Sequence, residues 1–282
     1  MSSVSYEEGR WVEPASGRAF GYRCWRPSST HALLVIVHGF GEHGGRYDAF
    51  ARELAARGLC VAAPDLWGHG RSAGRRGDIE RVPDYVRYAA AMTQDVLMPA
   101  SGCDRYALFG HSFGGLLAIL WALSASQRPE RLVLQSPLLG VGFPIPQWKT
   151  IAAQWVERCW PMCPFSMNLD LTALSHDPDV IRAYRRDPLV HNAMSARTYW
   201  STLRVRDEAF AHASDLQAPV LMMCGTADRI IAIAAARLWL SRVRCHKRRV
   251  LFPGAYHELH HEPVRQDVAR LTSEWVLGAG SG

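Results

Sequence analysis

Short apolar runs that return along the chain constrain its fold most: "ALLVIV" (32–37), "LCVAA" (59–63), "RYALFG" (105–110), "RLVLQ" (131–135), "APVLMMCG" (218–225) and "RRVLF" (248–252). Each is continuous, rich in aliphatic or β-branched residues, and too short for a helix, as expected of a strand buried on both faces. Between them lie stretches with helical spacing. Tyr47, Phe50, Leu54 and Ala55 recur at threes and fours before Gly58. "VPDYVRYAAAMTQDVLM" (82–98) carries Pro83 in its first turn, and "FGGLLAILWAL" (113–123) is apolar throughout. Strand and helix alternating through short links predict an α/β fold, a mostly parallel sheet covered on both faces. Residues 10–26 read as an N-terminal hairpin turning at "ASG", and a closing helix is expected from about Pro263 to Trp275.

The rhythm stops at Pro137 and resumes at residue 218. The intervening stretch is rich in Pro, Trp and Met and helical where regular. Trp148, Ile151, Ala152, Trp155, Val156 and Cys159 share one helical stripe. That stripe is expected to pack on the main body while lining or lidding an apolar pocket, which makes Trp148, Ile151 and Trp155 candidate substrate contacts. The expected organisation is a core of residues 1–136 and 215–282 with a helical cap of residues 137–214.

Composition excludes several classes. With 48% hydrophobic and 21% charged residues over 282, the chain can bury a full core. Its net charge of +6 comes from scattered arginines, with Lys149 and Lys247 the only lysines. No basic stripe with interleaved aromatics suggests nucleic acid as a partner. Seven cysteines without paired spacing fit reduced thiols, hence a cytoplasmic setting. The start, "MSSVSYEEGRW", shows no basic stretch followed by an apolar core, and no run reaches membrane-spanning length. Contact with a membrane would be peripheral, through the cap.

Directly after "RYALFG" comes "GHSFGG" (110–115), then a helix: G-x-S-x-G in the strand–turn–helix setting that gives it meaning. Ser112 on a sharp turn exposes its hydroxyl above the sheet. Gly110 and Gly114 let neighbouring backbone pass, and the helix N-terminus adds amides beside the site. An activated serine needs a base and an orienting acid. "GTADRI" after one strand offers Asp228, and "GAYHELHH" after the last offers His257, both at the sheet edge that carries Ser112. The oxyanion donors are expected to be backbone N–H groups, Phe113 after the serine and Phe40 in the glycine-rich loop "HGFGEHGGRY".

"HELHH" (257–261) also matches H-E-x-x-H, with His257 and His261 as zinc ligands. That site needs both histidines on one helix. Here the segment leaves a strand through Pro253 and Gly254 and meets Pro263 at once, and no histidine follows His261. No metal and no cofactor is therefore expected, and His260 and His261 fall in solvent or behind the site.

Taken together, "HGFGEHGGRYDAFARELAARG", "DLWGHGRSAGRRG", "GHSFGG", "GTADRI", "DPLV" and "YHELHHE" resemble the monoglyceride lipase and lysophospholipase-like branch of the α/β-hydrolases over most of the chain. The resemblance implies an eight-stranded sheet with a helical cap, a triad of Ser112, Asp228 and His257, and oxyanion amides at Phe40 and Phe113. It also implies that His38, Glu42 and His69 hold loops rather than react. The expected activity is hydrolysis of carboxylic esters, with monoacylglycerol- or lysophospholipid-like lipids as substrates. Acyl transfer or amide cleavage would use the same triad, and a ligand receptor with a spent site would lack part of it. Many members carry a small residue or methionine at the positions of Phe40 and Phe113, so two rings here would narrow the acyl pocket.

Overall fold

A computed structural model describes residues 4–142 and 154–278. The elements in chain order are β1 (Ser5–Val12), β2 (Ala19–Arg26), β3 (Ala32–Val37), α1 (Asp48–Ala55), β4 (Leu59–Pro64), α2 (Pro83–Met92), β5 (Tyr106–His111), α3 (Phe113–Ser124) and β6 (Leu132–Gln135). After these come β7 (Pro164–Ser166), α4 (Pro178–Arg186), β8 (Ala193–Ser195), α5 (Ala196–Ala211), β9 (Val220–Gly225), α6 (Ile233–Arg242), β10 (Lys247–Phe252) and α7 (Arg265–Leu277). One sheet of eight strands runs β1-β2-β4-β3-β5-β6-β9-β10. β2 is antiparallel to both β1 and β4, and the other pairs are parallel.

Strand periodicity divides the core in two. Leu33, Val35 and Val37 of β3 face one side with α2, α3, α5 and α6, whereas Leu34 and Ile36 face the other with α1 and α7. Burying one such aliphatic side chain contributes about 1.5–3 kcal/mol. The stripe Tyr47, Phe50, Leu54 and Ala55 is buried against the second face, as its spacing predicts. β10 ends the sheet, and there Lys247, Arg248 and Arg249 are exposed. Charge along an unpaired edge discourages pairing with other chains, so the basic run is solvated surface.

Two expectations about secondary structure need correcting. The helix read over 82–98 is not uniform: α2 passes into a π-helical turn at Thr93–Leu97 before helix resumes at Met98–Ser101. Thr93 Oγ1 donates to Ala89 O (2.8 Å) inside that helix, and Pro99 has no N–H to return. The inserted segment, read as helical where regular, also holds a two-stranded ribbon, β7 antiparallel to β8. Its strands are far apart in the chain, so no local turn signal announces them.

The insert leaves the sheet between β6 and β9. Its C-terminal part is tied to the core: Arg197 donates to both oxygens of Asp78 (2.8 and 2.6 Å), and Ser195 N–H donates to Gly77 O (3.0 Å). His43 Nε2 meets Asp187 Oδ2 at 2.8 Å. Trp148 and Ile151 lie outside the described residues. Within the described part of the stripe, Trp155 is 66% exposed and Val156 37%, and Cys159 is exposed as well. This part of the stripe faces solvent instead of packing on the body as expected.

Candidate active site

Ser112 sits at φ 52°, between the end of β5 and the first residue of α3. A non-glycine residue held at positive φ is strained, and such strain is kept where surrounding structure dictates it. That structure is close packing of backbone. A Cβ at Gly114 would lie 2.1 Å from Val37 O, and one at Gly110 would lie 2.5 Å from Gly114 O. Ser112 N–H donates to Gln135 O (3.0 Å), and Ser112 O accepts from Leu138 N (2.9 Å), fixing the turn to the adjacent strand.

Asp228 and His257 follow the last two strands of the sheet. β9 ends at Gly225, where a Cβ would lie 2.2 Å from Ala255 O, so the turns after β9 and β10 press together. They bring Asp228 Oδ2 to 2.7 Å from His257 Nδ1. Asp228 Oδ1 accepts from the N–H groups of Ile230 (2.8 Å) and Ile231 (3.1 Å). Burial opposes ionisation of Asp228, but the His257 charge and these hydrogen bonds outweigh it and hold its pKa below the usual carboxylate range. With Nδ1 occupied, Nε2 is the ring nitrogen left to take a proton. His257 lies beside the serine turn, since its ring is 4.8 Å from that of His111, the residue preceding Ser112.

The loop of residues 38–47 returns over the same edge. His38 donates through Nδ1 to Gly39 O (2.7 Å) and accepts through Nε2 from Leu66 N (3.0 Å). Glu42 Oε1 accepts from Gly39 N (2.6 Å) and Tyr47 OH (2.8 Å). Both hold the loop, in line with the sequence reading. The Phe40 ring meets that of Phe113 edge-on, 5.5 Å away at 87°. Phe113 opens α3, so its N–H has no acceptor within the helix. Phe40 N–H donates none of the backbone hydrogen bonds described.

Behind His257 is a buried polar layer whose pairings sequence reading missed. Gln135 Nε2 bridges His111 Nδ1 (2.9 Å) and His260 Nδ1 (2.8 Å). His260 is stacked on Tyr47 at 4.4 Å and fully buried, so of its two expected places it takes the one behind the site and not the one in solvent. Arg46 donates from Nη1 and Nη2 to Glu258 Oε1 (2.7 Å) and Oε2 (2.8 Å), and from Nη1 also to Glu42. Arg46 and Glu258 are 212 residues apart in the chain, so no spacing signals the pair. Burial lowers the His260 pKa well below its ordinary value and that of His111 to about 4, keeping both rings neutral near pH 7.

Among the described residues, Glu258, His260 and His261 bring potential ligand atoms within 4.8 Å of one another. Yet Leu259–His261 is a 3₁₀ turn, so His257 and His261 do not share an α-helical face. Both oxygens of Glu258 are engaged by the Arg46 guanidinium, which would repel a divalent cation. The geometry thus favours an Asp–His pair serving a serine over a metal centre.

A mostly parallel sheet with an inserted cap, and a serine turn between strand and helix, defines an α/β-hydrolase, here a carboxylic ester hydrolase. More narrowly, residues 28–264 match the profile of the serine aminopeptidase S33 family, and the chain belongs to that family, in its monoglyceride lipase-like branch. It is 30% identical over 259 residues to the monoacylglycerol lipase of Mycolicibacterium smegmatis, covering 91% of this chain and 92% of that one. Human monoglyceride lipase is also 30% identical, with 97% and 92% covered. The crystal structure of Paleococcus ferrophilus monoacylglycerol lipase superposes with a TM-score of 0.78 at 30% identity, covering 97% of this chain and 99% of that one.

Proposed function

We propose that the protein hydrolyses monoacylglycerol- or lysophospholipid-like esters through an acyl-enzyme. Ser112 attacks the ester carbonyl while His257 Nε2 takes its proton, and Asp228 holds the imidazole in the required tautomer. The N–H groups of Phe40 and Phe113 receive the oxyanion, and water then releases the acyl group. The observation that carries this reading is the Asp228–His257 pair at 2.7 Å, beside a serine turn held at φ 52° between strand and helix. The lipid substrate is supported by the relatives named above. The division proposed is a core of residues 1–136 and 215–282 and a cap of residues 137–214, with Trp148 and Ile151 as the cap's substrate contacts; the solvent-facing Trp155 does not keep that part.

Peripheral membrane contact through the cap belongs to the same proposal. Trp155, Trp160, Met162, Phe165 and Met167 are exposed within a short stretch of it. Large apolar side chains grouped on a surface mark interaction sites. Among the described residues no helix is long and apolar enough to cross a membrane. All seven cysteines are free thiols, which suits a reducing cytoplasm.

Ser112→Ala is expected to lower hydrolysis of p-nitrophenyl esters by at least ~10³-fold without changing the melting temperature, and to abolish fluorophosphonate labelling. Retained turnover would overturn the nucleophile assignment. Rates across acyl lengths test the substrate class, and a preference for acetyl over every longer chain would count against a lipid.

A further inference from the structure

His191 belongs to the insert, two residues ahead of β8, yet it touches the loop that carries Phe40. Its backbone N–H donates to Gly41 O at 2.8 Å. Its ring lies 5.7 Å from the Phe40 ring, at 80°, and 4.8 Å from the His69 ring. The Phe40 ring is also edge-on to His69 (5.2 Å) and Phe113 (5.5 Å). The side chains of both residues assigned as oxyanion donors thus sit in one aromatic cluster, and one wall of that cluster comes from the cap.

The loop is gripped from two sides. On the core side, the N–H and C=O of Gly39 are taken by Glu42 and His38. On the cap side the fit is tight, since a Cβ at Gly41 would lie 2.2 Å from His191 O. Both ring nitrogens of His191 are buried and neither makes a hydrogen bond of good geometry. A buried polar atom left unpaired destabilises a fold. Backbone at Gly68 and Ala193 comes near the ring without a well-formed hydrogen bond, so its close contacts are chiefly with the Phe40 and His69 rings.

We infer that His191 is a positioning residue: seating of the cap presses its ring on Phe40 and so aims the Phe40 N–H, completing the oxyanion hole only when this part of the cap is docked. The inference rests on the oxyanion assignment proposed above. It couples a cap contact to transition-state stabilisation, whereas a purely structural contact would change stability alone.

The test pairs steady-state kinetics on p-nitrophenyl butyrate with the inhibition constant of phenylboronic acid, which forms a tetrahedral adduct like the transition state. Removing an oxyanion donor costs ~10²–10³ in rate, so misaiming one by His191→Ala should cost on the order of tenfold in kcat. KM should stay within about twofold, and boronate binding should weaken by the same factor as kcat. His191→Phe, which restores the aromatic edge, should recover both. Unchanged boronate affinity, a loss confined to KM, or failure of His191→Phe to recover activity would each overturn the inference. If the alanine variant does not fold, His191→Val, too short to reach the Phe40 ring, carries the same comparison. Ser112→Ala separates the two levels. Turnover that survives it sinks the underlying mechanism, whereas a dead Ser112→Ala beside a wild-type-like His191→Ala sinks only this inference.

Discussion

At the scale of single residues, Asp228 and His111 make separable predictions. Asp228→Asn keeps the shape but replaces an ionised acceptor, so the His257 ring is free to adopt the wrong tautomer. A fall of ~10⁴ in kcat is expected, read with a p-nitrophenyl ester. A variant within tenfold of wild type would remove Asp228 from the mechanism. His111 acts on stability. Burial, aided by the neighbouring His257, lowers its pKa to about 4, while an unfolded histidine protonates near 6.5. Between those values the unfolded state takes up a proton that the folded state refuses. Its contribution is therefore complete above pH 6.5 and is lost as pH falls toward 4, on the order of 3 kcal/mol. His38, His69, His191 and His260 are shifted the same way by burial. Melting temperatures should drop steadily from pH 7 to 4.5, and a flat profile would contradict buried neutral rings.

At the scale of elements, the strand–turn–helix unit of β5 and α3 was legible because each part has a local cause. β5 is a short apolar run, α3 is apolar throughout and buried on nearly every face, and the glycines mark where backbones cross. Gly114→Ala tests the crossing. Its methyl would have to displace the Val37 carbonyl, which belongs to a central strand, so a loss of about 3 kcal/mol or more is expected in denaturant unfolding, with activity falling in step. An unchanged midpoint would show that the turn can relax. The π-helical turn after α2 and the β7–β8 ribbon were not legible. The first is a small competition within a helix whose apolar spacing looks regular. The second pairs segments on either side of α4, and sequence periodicity carries no information about such partners.

At the scale of the molecule, the cap presents aromatic and sulfur-bearing side chains outward while its C-terminal part is held by Arg197, Ser195 and Asp187. If that outward face meets lipid, Trp160→Ser combined with Met162→Ser should weaken co-sedimentation with phosphatidylcholine vesicles several-fold. Hydrolysis of a soluble short-chain ester should be unaffected. Equal sedimentation of variant and wild type would remove the membrane contact.

Periodicity and motif order sufficed for the parallel sheet, for Ser112, Asp228 and His257 at one edge of it, and for the loop-holding parts of His38 and Glu42. These depend on short-range steric and hydrophobic rules that each segment obeys independently. The Arg46–Glu258 pair, the Gln135 bridge between His111 and His260, and the contact of His191 with the Phe40 loop were decided only by the folded chain. Their physical cause is the loss of water from groups that meet only once the sheet, its crossovers and the cap have closed. Until that burial occurs, none of these residues differs from an ordinary surface arginine, glutamine or histidine.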